Sequence, residues 1–290
     1  MTESIAHTAM FFEKLKDDRV LCRLCPHNCN IPSGRTGICG VRHNHDGVLM
    51  AESYGQITSV SLDPIEKKPL ARFHPGSSIL SAGSYGCNFK CTFCQNHTIS
   101  MCKPETVHIP PDLLVQKAVE LKPQRNIGIA YTYNEPLISY EYVYDCSRLA
   151  KEYDLKNVVV TNGYIEQAPL KGLLPFIDAM NIDLKSFGDD FYSKICGGLP
   201  EHVMSTIETA SKACHVEVTT LIIPDLNDSE DEMESLASWL ASINPEIPLH
   251  LSRFFPKYKM QDRPPTSTGT IKALERIAGR HLKYVYTGNM

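Results

Sequence analysis

Residues 77–97 read SSILSAGSYGCNFKCTFCQNH, and this stretch joins a β-strand pattern to three closely spaced cysteines. Its first eight residues combine apolar and small side chains, as a short buried strand does. Cys87, Cys91 and Cys94 follow directly in the pattern C-x3-C-x2-C. A structural zinc site normally has four protein ligands, whereas three thiolates on one loop suit an iron–sulfur cubane that leaves one iron open. Gly86 lets the backbone approach such a group closely.

Outside this stretch, short apolar runs alternate with longer amphipathic runs. The alternation predicts parallel strands joined by right-handed helical crossovers, which places the chain in the α/β class. Seven such strands favour a partial or full (β/α) barrel, TIM-like in layout, over a sandwich. The predicted strands are residues 77–84, 126–132, 156–162, 179–185, 216–223, 248–254 and 282–288.

The pattern divides the chain into three zones. Residues 1–46 form a Gly/Pro/Asn-rich segment with too few apolar side chains for its own core. We therefore expect a bound metal to stabilise this segment. Residues 47–77 have strand and turn patterns and are expected to connect this segment to the rest. Residues 78–290 contain the alternating runs and are predicted to form the barrel.

The N-terminal segment contains four closely spaced cysteines. They are Cys22, Cys25, Cys29 and Cys39. Four soft ligands at this spacing suit either tetrahedral zinc or a second, auxiliary iron–sulfur cluster, and the sequence leaves both open. His27 or His43 could replace one cysteine. Among the remaining cysteines, Cys196 lies beside two glycines, which predicts an exposed thiol.

Composition bounds the class of protein. The chain has 290 residues, 42% of them hydrophobic, and a formal net charge of -4, so a general basic surface for nucleic acid is not expected. No apolar run approaches the roughly 20 residues that span a bilayer, and the N-terminus has no signal-peptide pattern. We therefore expect a cytoplasmic protein. Its eleven cysteines would then be reduced thiols available to metals.

The C-x3-C-x2-C pattern, with an aromatic residue at Phe93, is similar to the signature of the radical S-adenosylmethionine (SAM) superfamily. The resemblance implies a [4Fe–4S] cluster whose open iron chelates SAM. An electron from the cluster, delivered by a donor such as flavodoxin or ferredoxin, cleaves a carbon–sulfur bond of SAM. The products are methionine and the 5′-deoxyadenosyl radical, which abstracts hydrogen from a substrate. Cluster and SAM supply the difficult chemistry, and the protein supplies position and electrostatics.

Two narrower resemblances accompany this one. The segments DPIEKKPLARFHPGS and GCNFKCTFCQN resemble the activases of glycyl-radical enzymes, such as pyruvate formate-lyase activating enzyme. The upstream CRLCPHNC…GRTGICGVR resembles the radical SAM component of the AmmeMemoRadiSam system, which implies partner proteins of that system. Members of that group continue into a further cysteine-rich tail. This sequence stops at Met290, so the resemblance implies a short or truncated member.

Polar residues at the ends of the predicted strands are the candidates for binding SAM. Barrel enzymes place functional residues at the carboxyl ends of strands. Glu135 follows the second strand where the superfamily often has Gly-Gly-Glu, and Asp183 and Lys185 share one strand face, where unpaired charges are unfavourable. No catalytic residue is assigned. The full set of barrel candidates beyond the cysteines is Asn134, Glu135, Thr161, Asn162, Asp183, Lys185, Thr219, His250 and Arg253.

Each of these candidates also has a structural interpretation, such as a turn, an ion pair or a satisfied core histidine. The leading functional hypothesis is hydrogen abstraction from an unidentified small molecule or modified residue. The first alternative is an activase that abstracts a glycine Cα hydrogen in a partner protein. The second alternative, from another class, is a non-catalytic scaffold that holds iron and zinc for structure.

Overall fold

The computed structural model describes residues 7–290. Its strands are β1 (Phe12–Lys14), β2 (Val20–Cys22), β3 (Asn30–Ile31), β4 (Arg42–His45), β5 (Val48–Ala51), β6 (Gln56–Ile57), β7 (Ser59–Pro64), β8 (Ser78–Gly83), β9 (Val107–His108), β10 (Asn126–Tyr131), β11 (Lys156–Thr161), β12 (Ala179–Asp183), β13 (His215–Ile222), β14 (Leu249–Arg253) and β15 (Val285–Gly288).

Helices fill most of the connections between these strands. The α-helices are α1 (His97–Ser100), α2 (Pro111–Glu120), α3 (Tyr140–Glu152), α4 (Gln167–Leu173), α5 (Asp189–Phe191), α6 (Pro200–Ala210), α7 (Glu230–Ile243) and α8 (Thr268–Ala278). Short 3-10 turns lie at Ile65–Lys67, Lys122–Gln124, Pro136–Ser139 and Leu174–Phe176, and a π-helical turn lies at Tyr192–Cys196.

One eight-stranded sheet forms the body of the molecule. From one edge to the other its order is β7, β8, β10, β11, β12, β13, β14 and β15, and all neighbours are parallel except β7 and β8. Within residues 7–290 the two edge strands do not pair with each other, so the barrel is open and not a closed one. The predicted α/β fold with a partial (β/α) barrel is therefore confirmed.

Local sequence explains why the elements start where they do. The central barrel strands are buried on both faces, and such strands are continuous apolar runs, as Ile129–Tyr131 illustrates. Ser229 caps α7 by accepting a hydrogen bond from the Glu232 N–H, and Ser267 caps α8 in the same way from the Thr270 N–H. No helix within residues 7–290 is long and apolar enough to cross a membrane.

The segment between the N-terminal zone and the barrel is more than a connector. Its strand β7 pairs antiparallel with β8 over six residues, from Ser59↔Gly83 to Pro64↔Ser78, and forms one edge of the barrel sheet. The expected division at residue 47 also falls inside a hairpin, because β4 and β5 pair with each other across it. Strand pairing thus joins neighbouring zones across both expected boundaries, and the division into three zones stays a prediction.

The N-terminal zone packs against the barrel through a buried ion pair. Arg42 on β4 and Glu141 on α3 lie 3.0 Å apart, and both side chains are at most 2% exposed. The Glu141 carboxylate also accepts the Met10 N–H at 2.7 Å. Separating the two side chains would leave each charge buried without a partner, which is strongly destabilising. This ion pair therefore holds the N-terminal zone and the barrel in one arrangement.

A second buried carboxylate joins strands β13 and β14 to the loop before β8. Glu217 accepts hydrogen bonds from His215 and His250 at 2.9 and 2.6 Å, and from the backbone N–H groups of Ala71 and Arg72. Burial by itself raises the pKa of Glu217, but these four donors bring it down to about 2. The ionised carboxylate therefore stabilises the fold.

The Glu217→Gln variant tests this contribution. A folded-state pKa of about 2 against an ordinary value of 4.5 corresponds to about 3 kcal/mol, present above pH 4.5 and lost as pH falls through 2. We expect wild type to lose about this much more stability than Glu217→Gln between pH 6 and pH 2, measured by urea denaturation. Glu105→Gln, at an exposed position, is the control and should follow wild type. Identical acid dependence of Glu217→Gln and wild type would contradict the assignment.

Candidate functional site

The carboxyl ends of the barrel strands surround one cavity of about 390 Å³. This volume lies within the range of small-molecule sites. Ten of the twelve predicted barrel residues line it, namely Cys87, Cys91, Cys94, Asn134, Glu135, Thr161, Asn162, Asp183, Lys185 and Thr219. Parallel pairing explains the convergence, because consecutive strands bring their ends to one edge of the sheet.

The cysteine loop follows β8 and closes one end of the cavity. The Phe89 N–H points at the Cys87 sulfur at 3.4 Å, and the Lys90 and Thr92 N–H groups donate to the carbonyls of Cys196 and Ile195. The loop is therefore anchored on the π-helical turn. All three cysteines line the cavity, and no fourth cysteine does.

The thiols of this loop have raised pKa values. Burial raises the pKa of Cys87 and of Cys94, and a hydrogen bond with Cys196 together with burial raises that of Cys91 well above its usual range. Such thiols are poor free nucleophiles. A coordinated metal ion removes the proton from a thiol outright, so the arrangement fits metal ligation better than covalent catalysis.

Cys196 differs from the prediction of an exposed thiol. Its side chain is fully buried and lies against Cys91, because the π-helical turn directs it toward the cysteine loop. The adjacent Gly197 has a φ of 85° and ends that turn without exposing the sulfur.

Asn134 and Glu135 fix the backbone around the cavity. The Asn134 amide accepts the Ser84 N–H and donates to the carbonyls of Tyr85 and Gly86, which holds the start of the cysteine loop. The buried Glu135 carboxylate accepts the Thr161 hydroxyl at 2.7 Å and the N–H groups of Asn162 and Leu137.

Burial is the main cause that raises the pKa of Glu135, to about 7, and its three hydrogen bonds oppose the rise. Three of its roughly four acceptor positions are occupied, so one is left for a donor in the cavity. A cationic group in the cavity would favour the ionised carboxylate.

Asp183 and Lys185 form an ion pair and line the same cavity. The Lys185 Nζ lies 2.9 Å from the Asp183 carboxylate, and the side chains are 14% and 35% exposed. Burial by itself lowers the pKa of Lys185, but Asp183 and the thiols of Cys91 and Cys196 raise it well above the usual value. The pair presents one fixed positive and one fixed negative group beside the cysteines.

The structure places two predicted site residues outside the cavity lining. His250 donates from Nε2 to the Glu217 carboxylate at 2.6 Å and its ring stacks on Tyr286, so its ring is occupied by the buried network. Arg253 donates from Nε to the Thr266 carbonyl, and its guanidinium lies over the Phe255 ring. A strand sequence alone does not tell which inward residue reaches the mouth of a barrel.

Two features around the cavity were missed by sequence reasoning. Asn88, the buried neighbour of Cys87, donates to the Tyr164 carbonyl and accepts from Asn162 at 2.8 Å, and no sequence signal distinguished it from the other polar residues of the loop. Lys68 and Tyr133 line the cavity, and both bond Asp63. Tyr133 has a φ of 75°, in the left-handed region that favours glycine, at a position where the superfamily often has one.

The four N-terminal cysteines line a separate small cavity together with His27 and Arg42. His27 contacts the Asn88 carbonyl at 2.8 Å. His43 bonds Thr36 and lies close to His45 and Glu52, away from the cysteines.

The fold and the site together define the class of protein: an open (β/α) barrel with a three-cysteine loop after its first parallel strand. The sequence model of the Radical SAM superfamily matches residues 82–240, more than half of the chain. The protein belongs to the radical SAM superfamily and is a radical SAM enzyme. Membership implies a [4Fe–4S] cluster and SAM as cofactors. The narrower AmmeMemoRadiSam resemblance stays a prediction.

Particular relatives support this assignment. The uncharacterized protein MJ0808 of Methanocaldococcus jannaschii is 44% identical over 97% of this chain and 85% of its own length. Pyruvate formate-lyase-activating enzyme of Clostridium pasteurianum is 25% identical over 54% of this chain and 67% of its own. The structure of Streptococcus suis SuiB bound to S-adenosylmethionine has the same fold, with a TM-score of 0.54 at 12% identity, over 71% of this chain and 48% of that one.

Gly86 controls the contact between the cysteine loop and the N-terminal zone. Its φ is +84°, and an added Cβ would lie 2.6 Å from Val41 Cγ1 and 2.7 Å from the Cys39 carbonyl oxygen. We expect Gly86→Ala to lower the free energy of unfolding by about 2 kcal/mol or more, because strain and overpacking add. Thermal or urea denaturation measures the change.

The matched control is Gly188→Ala. Gly188 has a φ of -99°, and the nearest atom to an added Cβ is 3.6 Å away. This variant should stay within about 1 kcal/mol of wild type. If both alanine variants were equally stable, the close approach at Gly86 would not exist in solution.

Proposed function

We propose that the protein uses a [4Fe–4S] cluster on Cys87, Cys91 and Cys94 to cleave SAM reductively and abstract hydrogen from a small-molecule or modified-residue substrate. The observation that carries the proposal is the shared cavity: three cysteines and no fourth among its lining residues, together with the Asp183–Lys185 pair and Glu135. Three protein thiolates leave one iron for an outside ligand. The chemistry supplied by bound cluster and SAM is one-electron cleavage to methionine and the 5′-deoxyadenosyl radical.

The residues of the chain bind and orient. Lys185 is cationic and partly enclosed, so it offers a fixed partner for the carboxylate of SAM. Glu135 retains one acceptor position for the amino group of SAM, while its other bonds hold the Thr161–Asn162 turn beside the ligand. Asp183, at the end of β12, and Thr219, on β13, present acceptors where a ribose hydroxyl would lie.

The polar residues around the cavity are buried, which keeps water away from them. Asn134, Glu135, Thr161 and Asn162 are each at most 8% exposed, so their polar groups are fixed by protein partners before a ligand arrives. Groups that are already oriented need no rearrangement during the reaction, which is the main way a protein can assist this chemistry. A low-potential donor such as flavodoxin or ferredoxin would provide the electron.

The Cys91→Ala variant tests the cluster assignment. With dithionite as reductant, wild type reconstituted anaerobically should form 5′-deoxyadenosine from SAM. Cys91→Ala should form at least about 100-fold less, because removing a metal ligand weakens a site more than removing a residue that only hydrogen-bonds to a ligand. Chromatography with mass detection measures the product. Cys102→Ala, at an exposed cysteine outside the cavity lining, should retain wild-type formation. Equal amounts of product from wild type and Cys91→Ala would remove the proposal, and no product from either protein would favour the scaffold alternative.

The substrate class has two candidates. The N-terminal motif CRLCPHNC…GRTGICGVR, which resembles the AmmeMemoRadiSam component, favours a small molecule or a modified residue. The 25% identity to pyruvate formate-lyase-activating enzyme favours a glycine Cα–H in a partner protein. The first has the stronger support, because the N-terminal motif is the narrower of the two resemblances, and partner proteins of that system are candidates.

Electron paramagnetic resonance separates the two candidates. The reduced enzyme with SAM is incubated anaerobically with candidate glycyl-radical proteins, and we expect no backbone glycyl radical. In incubations with small-molecule extracts, mass spectrometry should find a modified compound that is absent with Cys91→Ala. A glycyl radical formed by wild type and not by Cys91→Ala would establish the activase instead.

A further inference from the structure

The four N-terminal cysteines converge although they come from different turns. Cys22 ends β2, Cys25 and Cys29 lie in the turn before β3, and Cys39 lies in the turn before β4. All four line one enclosed cavity of about 10 Å³. We call residues 20–45 the cysteine knob. Its sulfurs are not paired as disulfides, so the convergence has to be explained by another group.

Backbone donors surround the sulfurs of the knob. The N–H groups of Leu24 and His27 donate to Cys22 and Cys25, two residues behind each. The N–H groups of Val41 and Arg42 do the same for Cys39. Burial is the largest effect on these three thiols and raises the pKa of each, and the backbone N–H groups oppose the rise.

Arg42 provides an independent indication of an anionic occupant. Its side chain is 2% exposed and lines the cavity, and its terminal nitrogens bond Glu141. Its Nε is buried and has no hydrogen-bond partner within residues 7–290. A buried, charged donor without an acceptor is unfavourable, so an acceptor in the cavity is expected. Four metal-bound thiolates carry a net negative charge and would satisfy it.

The spacing of the sulfurs selects between zinc and a cluster. A tetrahedral zinc site with Zn–S bonds of about 2.3 Å holds its sulfurs about 3.8 Å apart and leaves no room between them for a water-sized sphere. In residues 7–290, groups of three ligand atoms within 4.8 Å of one another occur at His43, His45 and Glu52, and not among the knob cysteines. The knob cavity of about 10 Å³ is roughly one such sphere. The thiols therefore enclose more space than one zinc ion fills.

We propose that Cys22, Cys25, Cys29 and Cys39 hold a second [4Fe–4S] cluster, with all four irons ligated by the protein. A cubane needs four thiolates set more widely than zinc does, and the knob offers that number. Because no iron is left open, this cluster does not bind SAM. It is distinct from the cluster proposed for the barrel and does not depend on it.

The knob lies directly against the barrel site. The Cys87 N–H donates to the Cys39 carbonyl at 3.3 Å, and His27 contacts the Asn88 carbonyl. One hydrogen bond thus connects the backbone of a knob ligand to that of a barrel cysteine. Loss of the knob cluster is expected to disturb the cysteine loop less than loss of a barrel ligand, because the loop keeps its bonds to Asn134 and to the π-helical turn.

Iron and zinc analysis of variants tests the proposal. Wild type, purified and reconstituted anaerobically, should contain about eight iron atoms per chain and no stoichiometric zinc. Cys25→Ala/Cys29→Ala should contain about four. Cys87→Ala/Cys91→Ala/Cys94→Ala leaves the knob unchanged and should also contain about four, with the Mössbauer spectrum of a [4Fe–4S] cluster. Cys214→Ala, outside both groups, is the control and should equal wild type.

Two results would overturn the knob cluster: one zinc per chain that is lost only in Cys25→Ala/Cys29→Ala, or a barrel triple variant that contains no iron. The absence of iron from the barrel triple variant would overturn the knob cluster even if the knob variant fails to fold. Failure of the barrel assignment has a different signature, since wild type would then contain about four iron atoms and the barrel triple variant would keep them all.

Discussion

Parallel pairing of the seven barrel strands, β8 and β10 to β15, sets the position of every other part of the molecule. It brings the carboxyl ends of seven strands to one edge, so that residues from Cys87 to Asn289 line a single cavity. The open sheet leaves this edge accessible between β7 and β15. A one-residue slip in any pair would turn the inward polar residues away from the cavity.

Buried polar groups make this arrangement rigid. Glu135 connects the end of β11 to the 3-10 turn before α3. Asn134 connects β10 to the cysteine loop, and Glu217 connects β13 and β14 to the segment before β8. Each accepts or donates at least three hydrogen bonds, so few orientations of the strands satisfy them all. The cavity is thus shaped by charged and amide groups that are already paired, leaving Asp183 and Lys185 as the charges that face a ligand.

Two contacts hold the N-terminal zone in a defined position on the barrel. The Arg42–Glu141 pair fixes it on α3, and the close approach at Gly86 joins it to the cysteine loop. This contact explains why a segment with little apolar material has a defined position. It also places two groups of cysteines on either side of one backbone hydrogen bond, between Cys87 and Cys39.

Local sequence patterns predicted the seven parallel strands, the intervening helices and the three-cysteine loop, because apolar periodicity and ligand spacing are local properties. Ten of the twelve barrel residues predicted from the sequence line the cavity, since strand ends are recognisable in a β-α alternation. Only the tertiary structure shows that β7 joins the sheet and that Cys196 is buried. It also shows that His250 forms a hydrogen bond with Glu217, 33 residues away in the chain. Those outcomes depend on partners distant in the chain, which no local pattern encodes.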